Sequence, residues 1–163
     1  MRVTVHWIDG IESGRLGIMP RPRGGDWLED EIHSLKMWGV GAVVSLLEQD
    51  EITELDIAEE KSLCEANGIA YLSFPIRDRS VPLSKQDALA FARKLVKLLQ
   101  DGMSVVIHCR QGVGRSALVA ACVLVLGGVS VDEVFEKIEN ARGCSVPDTE
   151  EQREWVRRFA ESL

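Results

Sequence analysis

The sequence has few cysteines, few aromatic residues and a deficit of basic side chains. Its 163 residues include 4 cysteines and 6% aromatic residues, and 19 basic against 26 acidic side chains give a formal net charge of −7. The cysteines, at positions 64, 109, 122 and 144, form no C-x-x-C pair, which argues against a disulfide scaffold and against a zinc site. The acidic balance argues against a nucleic-acid-binding surface.

Long apolar runs are also absent from the sequence. No run reaches the length of a membrane span, and His6 and Asp9 interrupt the N-terminal segment before the apolar region of a signal peptide can develop. We therefore expect a cytoplasmic monomer with no membrane association. The length and the 45% hydrophobic content predict a single domain over residues 1–163.

Helical and strand patterns alternate along the chain. Apolar periodicity and capping signals predict helices over 27–38 (capped by Asp26), 52–67, 84–99 and 117–126, and two more capped by Ser130 and Thr149. Residues typical of β-structure predict strands over 3–8, 15–19, 42–47, 69–74 and 105–109. This order predicts an α/β fold with a central mixed, mostly parallel sheet flanked by helices on both faces.

The stretch from the last strand into the helix at 117–126 suggests an anion site. Residues 108–116 read His-Cys-Arg-Gln-Gly-Val-Gly-Arg-Ser. A loop at the start of a helix directs backbone N–H groups inward, and the helix dipole adds positive charge that favours a phosphate group. Gly112 and Gly114 allow the tight backbone path. The residues predicted to surround the phosphate are Arg110, Gln111, Gly112, Val113, Gly114 and Arg115.

Four side chains of this stretch have expected roles in catalysis. The positive loop favours the thiolate form of Cys109, which is a nucleophile for phosphorus. Arg115 follows it by six residues, where its planar guanidinium is suited to grip two phosphate oxygens. Ser116 is expected to donate a hydrogen bond to the departing thiolate, and His108 to order the loop through its backbone.

These residues also carry a family resemblance. His108-Cys109-x-x-Gly112-x-Gly114-Arg115-Ser116 is similar to the signature of the protein tyrosine and dual-specificity phosphatases, and residues 114–122 look most like the cyclin-dependent-kinase-associated branch. The similarity covers residues 40–163. It implies hydrolysis of phosphomonoesters through a phosphocysteine intermediate without a metal or organic cofactor. The substrates it implies are phosphorylated proteins carrying phosphotyrosine and also phosphoserine or phosphothreonine.

A general acid is expected on a loop upstream of the cysteine. Asp78 lies in the segment 74–82 after a predicted strand, 31 residues before Cys109, which resembles the context and spacing of the acid in the family. The alternative is an exposed carboxylate that pairs with Arg77 or Arg79. Removing the proton donor would slow the departure of basic leaving groups.

Several alternatives remain open at this level. The same loop would serve a phosphatase for inositol phosphates, lipids or RNA 5′ ends, or a catalytically silent phosphoprotein-binding module; a single basic residue, Arg110, at the variable loop positions weakens the lipid reading. Gln152 either orients a hydrolytic water, as in related enzymes, or completes a helix capping box. The loop with Arg21 and Arg23 either reaches a second anionic group or forms a solvated turn.

Overall fold

The computed structural model describes residues 4–163, in which five strands form one sheet. They are β1 (His6–Ile8), β2 (Arg15–Met19), β3 (Ala42–Ser45), β4 (Ala70–Ser73) and β5 (Ser104–His108). Their order is β1-β2-β5-β3-β4; β1 pairs antiparallel with β2, and the other neighbours pair in parallel. The predicted mixed, mostly parallel sheet is confirmed. Val3, the predicted start of the first strand, lies outside the described residues.

Helices cover both faces of the sheet, as predicted. Within residues 4–163 they are α1 (Leu28–Met37), α2 (Gln49–Glu54), α3 (Glu60–Ala66), α4 (Lys85–Gln100), α5 (Arg115–Leu126), α6 (Val134–Arg142) and α7 (Glu150–Glu161). α1 and α3 pack on the face that presents Val43 and Val106. α4, α5, α6 and α7 pack on the opposite face, with Val44 and Ile107.

The position of β5 places the cysteine at the centre of one sheet edge. β5 lies between β2 and β3, and its residues 105–108 are fully buried, which explains their continuous apolar pattern. The chain leaves β5 at its carboxyl end and enters α5, whose residues 115–124 are all buried. Ligands of α/β sheets bind beyond this edge, so the fold places Cys109 where a ligand site is expected.

The helix predicted over 52–67 is wrong as a single element, because the chain breaks into α2 and α3. Asp56 between them has a left-handed backbone, with φ of +55°. Its carbonyl oxygen accepts a hydrogen bond from Gly25 N at 3.0 Å, and a side chain at Gly24 would approach Leu55 O to 2.0 Å. The break therefore lets the loop before α1 dock closely, a tertiary requirement that the helical periodicity does not reveal.

Two of the predicted helix caps are wrong and one is confirmed. α1 begins at Leu28 after a short 3-10 turn (Gly25–Trp27), without a side-chain cap from Asp26. Ser130 accepts from Asp132 N at 3.3 Å, so it caps a turn that precedes α6 rather than the helix itself. Thr149 caps α7 as predicted, and its Oγ1 accepts from Gln152 N at 3.1 Å. The wrong caps stand where an extra turn precedes the helix.

No helix within residues 4–163 combines the length and the apolar character needed to cross a membrane. The apolar helix α5 has 12 residues and is buried in the core, whereas a spanning helix needs about 20. The cytoplasmic location, the monomeric state and the single-domain organisation stay predictions.

Candidate active site

The loop from Cys109 to Gly114, here called the cysteine loop, connects β5 to α5. Gly112 has a φ of +73°, and a side chain there would lie 2.5 Å from the main chain of Met19. A Cβ at Gly114 would lie 2.7 Å from the Cβ of Asp148. Glycine is required at both positions because the loop packs between the end of β2 and the segment before α7.

Cys109 lies at the base of this loop. Its side chain is buried, with 3% of the residue exposed, and the hydroxyl of Ser116 donates to Sγ at 3.0 Å. The thiol therefore faces the N-terminal end of α5, where the helix dipole and unpaired N–H groups favour negative charge. The structure brings Cys109 and Ser116 together as the sequence analysis predicted.

His108 is held on the opposite side of the strand from the thiol. Its Nε2 lies 2.7 Å from Glu60 Oε2, and its Nδ1 lies 3.3 Å from the carbonyl oxygen of Cys109. Both side chains are buried, so the imidazole is fixed between α3 and the start of the cysteine loop. Burial and the charge of Glu60 raise the pKa of the neighbouring Tyr71 to about 12. The sequence analysis missed Glu60, which lies inside the wrongly predicted helix.

Arg115 is the first residue of α5 and one of the largest buried side chains. Its guanidinium donates to both carboxylate oxygens of Glu51, at 2.7 and 3.0 Å, and to the carbonyl oxygen of Ile76 at 2.8 Å. Burial lowers the pKa of Arg115, but the bonds to Glu51 and the charges of Cys109, Glu51 and Asp78 outweigh it and raise the pKa. The guanidinium is therefore a permanent cation of fixed orientation.

Glu51 is a site residue that the sequence analysis missed. Besides binding Arg115, its Oε1 accepts from Glu48 N at 3.1 Å and completes a capping box for α2. Burial raises the pKa of Glu51, and the bonds and charge of Arg115 lower it by more, so the net shift is downward. A signal existed in the sequence: an acidic segment directly follows the buried strand 42–47, which ends at the same sheet edge as β5.

Asp78 reaches the site from the loop after β4. Its Oδ1 lies 3.0 Å from Arg115 Nη2, and its side chain is 53% exposed. The arginine that binds it is Arg115 rather than a sequence neighbour, since Arg79 pairs with Asp148 at 3.3 Å. Asp78, Cys109 and Arg115 line one pocket, so the structure brings together the three residues predicted to be catalytic.

Gln152 lines the same pocket and also completes the capping box of α7. Its Oε1 accepts from Asp148 N and Thr149 N at 3.0 and 3.1 Å, and its Nε2 donates to Ser80 O at 3.0 Å. The residue is fully buried. The capping interpretation is confirmed, and the side chain reaches the pocket as well.

Arg142 of α6 holds the cysteine loop from outside. Its Nε donates to the carbonyl oxygen of Gly112 at 3.1 Å, and its Nη2 donates to that of Gln111 at 3.2 Å. In a trans peptide the N–H points away from the carbonyl, so these bonds turn the next two N–H groups, those of Gly112 and Val113, to the opposite side. Arg142 was not predicted as a site residue, because no local sequence signal marks it.

The remaining arginines near the loop have partners of their own. Arg110 pairs with Glu54 of α2 at 3.1 Å. Arg21 donates its backbone N–H to Arg110 O at 3.2 Å, so the Arg21 segment adjoins the cysteine loop. Arg23 forms an ion pair with Glu31 at 2.6 Å and lies over the ring of Trp27. Of the two arginines in the Pro/Gly loop, only Arg21 adjoins the site.

A buried cysteine under a helix N-terminus, with a fixed arginine beside it and a carboxylate on an adjacent loop, defines the site of a cysteine-based phosphatase. Residues 17–129, more than half of the chain, match the family model described as polymorphic toxin system, DSP-PTPase phosphatase. The chain therefore belongs to this dual-specificity phosphatase family.

Curated relatives and solved structures agree with this assignment. The chain is 25% identical to the cyclin-dependent kinase inhibitor 3 of Rattus norvegicus over 138 residues, which are 83% of this chain and 65% of that protein. The chain thus spans just under two thirds of that relative. A second relative is the Arabidopsis thaliana protein described as phosphatidylinositol 3,4,5-trisphosphate 3-phosphatase and protein-tyrosine-phosphatase PTEN1. The chain is 28% identical to it, over 78% of this chain and 32% of that protein.

Among solved structures, kinase associated phosphatase with its catalytic cysteine substituted by serine superposes with a TM-score of 0.91 at 21% identity, covering 100% of this chain and 97% of that one. Tk-PTP in the active form gives a TM-score of 0.80 at 27% identity, covering 98% and 97%. The likeness to kinase associated phosphatase shows that this chain has the same fold. The sequence match to the rat relative confirms the predicted resemblance to the kinase-associated branch.

Proposed function

We propose that this chain hydrolyses phosphomonoesters of phosphorylated proteins, phosphotyrosine and also phosphoserine or phosphothreonine, through a phosphocysteine intermediate. The observation that carries the proposal is the contact of Cys109 Sγ with Ser116 at the helix N-terminus, beside the guanidinium of Arg115. A thiolate there meets phosphorus within a cradle of N–H groups, and Arg115 compensates the charge on the phosphoryl oxygens. A silent binding module needs no such nucleophile.

In the first step, the Cys109 thiolate attacks phosphorus, an S–P bond forms, and the bond from phosphorus to the leaving oxygen breaks. Asp78 donates its proton to that oxygen, so the product departs as an alcohol or phenol. The proximity of Asp78 to Arg115 supports this role, because the carboxyl lies beside the group that binds the phosphate. A bound phosphate competes with Asp78 for Nη2 and turns the carboxyl toward the leaving oxygen.

In the second step, water attacks the phosphocysteine, and Asp78 accepts its proton. The S–P bond breaks, inorganic phosphate is released, and the thiolate of Cys109 is restored. Ser116 stabilises the departing sulfur through the hydrogen bond that it already donates at 3.0 Å. Each atom and proton is accounted for by substrate, water, Cys109 and Asp78.

The charges around the pocket favour phosphoproteins over polyphosphorylated lipids. Arg110 is the only cation at the variable positions of the cysteine loop, and it pairs with Glu54. Arg79 at the pocket is likewise paired, with Asp148. A ligand with several phosphates needs cations that are available to bind it. Both pairs are partly exposed and therefore weak, but each carboxylate stays beside its arginine and repels an additional phosphate, so the pocket fits a single phosphate group better.

A panel of substrates tests the preference for phosphoproteins over phosphorylated lipids. We expect faster phosphate release from phosphotyrosine and phosphothreonine peptides than from phosphatidylinositol phosphates in micelles, measured as kcat/KM with a phosphate-binding dye. Glu54→Gln should narrow the difference by unpairing Arg110. Lipid kcat/KM above that of every peptide would overturn the substrate class and leave the cysteine mechanism intact.

The role of Asp78 is tested with leaving groups of different basicity. Asp78→Ala should lower kcat/KM for phenyl phosphate by about 10²-fold or more. The loss for p-nitrophenyl phosphate should be much smaller, since p-nitrophenolate departs without a proton. Asp87→Ala at the exposed start of α4 is the control, with both rates unchanged. Equal losses for the two substrates would remove Asp78 as the acid.

A further inference from the structure

The loop that carries Asp78 is held by the segment before α7. Gln152 Nε2 donates to Ser80 O at 3.0 Å, and Asp148 pairs with Arg79 at 3.3 Å. On the other side, Arg115 binds Asp78 itself. The three consecutive residues 78–80 are therefore each bound to a residue of another element, in a loop that has no regular secondary structure.

Arg79 has an unusual backbone conformation in the middle of this loop. Its φ is +59°, in the left-handed region that side chains other than glycine rarely adopt. Such a conformation persists only where the surroundings fix the residues on both sides. The backbone bond from Ser80 N to Arg77 O at 3.0 Å closes the turn around Arg79, and the contacts to Asp78 and Ser80 fix the position of that turn against the rest of the site.

The two contacts from the α7 side differ in strength. Arg79 and Asp148 have side chains that are 65% and 34% exposed, and ion pairs of this kind contribute little. Gln152 is fully buried, so its Nε2 group would be left without an acceptor if the bond to Ser80 O were lost. The bond from Gln152 to Ser80 is therefore the stronger restraint on the acid loop.

The orientation of the Gln152 amide is fixed by its other bonds. Oε1 accepts from two backbone N–H groups, those of Asp148 and Thr149. An amide oxygen can accept these bonds and the NH₂ group cannot, so Nε2 must face Ser80. The helix cap of α7 thus aims the donor at the acid loop.

We propose that Gln152 is a positioning residue for the general acid, which fixes residues 78–80 so that Asp78 faces the leaving oxygen, with Asp148 as a weaker second restraint. The inference rests on the proposed function, since it assigns Gln152 a part in the Asp78 step. It differs from an orienting role toward water, because it acts before the leaving group departs.

Gln152→Glu removes the hydrogen bond that Nε2 donates to Ser80 O but keeps the capping box of α7. Glutamate keeps an acceptor for the capping box, but it presents an oxygen to Ser80 O where the amide presents N–H. We expect the ratio of kcat/KM for p-nitrophenyl phosphate to that for phenyl phosphate to rise about tenfold, the effect of one buried hydrogen bond. The added negative charge weakens binding of both substrates alike, and this part of its effect cancels in the ratio.

Three further variants test whether a change in this ratio reports the position of Asp78. Asp148→Asn should raise it about twofold, as expected for an exposed ion pair. Thr149→Ala removes the other half of the capping box and should lower thermal stability without changing the ratio. In the Asp78→Ala background, Gln152→Glu should raise the ratio no further, because the group that it positions is gone.

The outcomes distinguish the inference from the proposed function. An unchanged ratio in Gln152→Glu, with a raised ratio in Asp78→Ala, would overturn the positioning role alone. A fall in kcat with both kcat/KM values unchanged would also overturn it, since it would place Gln152 in hydrolysis of the phosphocysteine. An unchanged ratio in Asp78→Ala would instead refute the acid assignment.

Discussion

Cys109→Ser should lower the turnover of p-nitrophenyl phosphate on the order of 10⁴-fold or more, which is the scale expected when a nucleophile is lost. A serine hydroxyl stays protonated where a thiolate forms, so the attack on phosphorus fails even with the cradle intact. A serine hydroxyl is nearly isosteric with the thiol, so the variant should keep the buried position of Cys109 and its contact with Ser116. Initial rates, together with circular dichroism to check folding, measure the effect.

The other cysteines provide controls for this experiment. Burial and the charges of Glu60 and Glu65 raise the pKa of Cys64 to about 12, and burial raises the pKa of Cys122 as well, so both stay neutral thiols. Cys144 is exposed. Cys144→Ser should retain full turnover, and an acid quench of the wild type should yield a phosphorylated peptide that contains Cys109. Undiminished turnover in Cys109→Ser would contradict the mechanism.

The parts of the site that were predicted from sequence are local ones. Cys109, Arg115 and Ser116 follow one strand within eight residues, so strand, loop and helix signals place them without knowledge of the rest of the fold. The predicted contact of Ser116 with Cys109 forms because the cysteine loop brings the first turn of α5 back to the sulfur. Asp78 lies outside this stretch, and its prediction depended on its loop after a strand and on its resemblance in context and spacing to the acid of the family.

The residues that hold these side chains could not be predicted in the same way. Glu51 lies 64 residues from Arg115, Glu60 lies 48 residues from His108, and Arg142 lies 30 residues from Gly112. Nothing in the local sequence distinguishes Glu60 and Arg142 from other charged residues on helices, and the acidic segment after the strand 42–47 indicates the region of Glu51 but not its partner. Each pairing depends on how the helices pack on the sheet, which a single sequence does not specify.

Gln152 shows how a local explanation can conceal a site residue. Its capping box with Thr149 accounts fully for its residue type, and the structure confirms that box. The amide nevertheless has a second polar group, Nε2. Because Gly114 has no side chain, the amide of Gln152 can approach it closely and line the pocket. A residue that satisfies one local rule therefore remains a candidate for a tertiary role.

Arg115→Ala should lower kcat/KM for p-nitrophenyl phosphate by about 10³-fold, the cost of removing charge stabilisation from a transferring phosphoryl group. Arg115→Lys should lose nearly as much, because an ammonium cannot donate to Glu51 and to a phosphate in one plane. Both changes also leave the buried Glu51 without its full ion pair. Removing one partner of a buried ion pair outright costs about 3–5 kcal/mol of folding free energy. Loss of activity alone would therefore not separate catalysis from stability.

The double variant Arg115→Met with Glu51→Gln separates the two effects. It removes both charges, so its free energy of unfolding at neutral pH should recover toward the wild type, while its kcat/KM stays as low as that of Arg115→Ala. Because the pKa of Glu51 is lowered in the folded protein, the pair stabilises the fold above the ordinary carboxyl pKa of 4.5, and this contribution is lost as the pH falls through the lowered value. Urea unfolding between pH 7 and pH 3 should therefore show a larger acid-dependent loss in the wild type than in the double variant, which keeps the other carboxylates but lacks this pair. Recovery of turnover in the double variant would show that Arg115 serves the fold and not the phosphate.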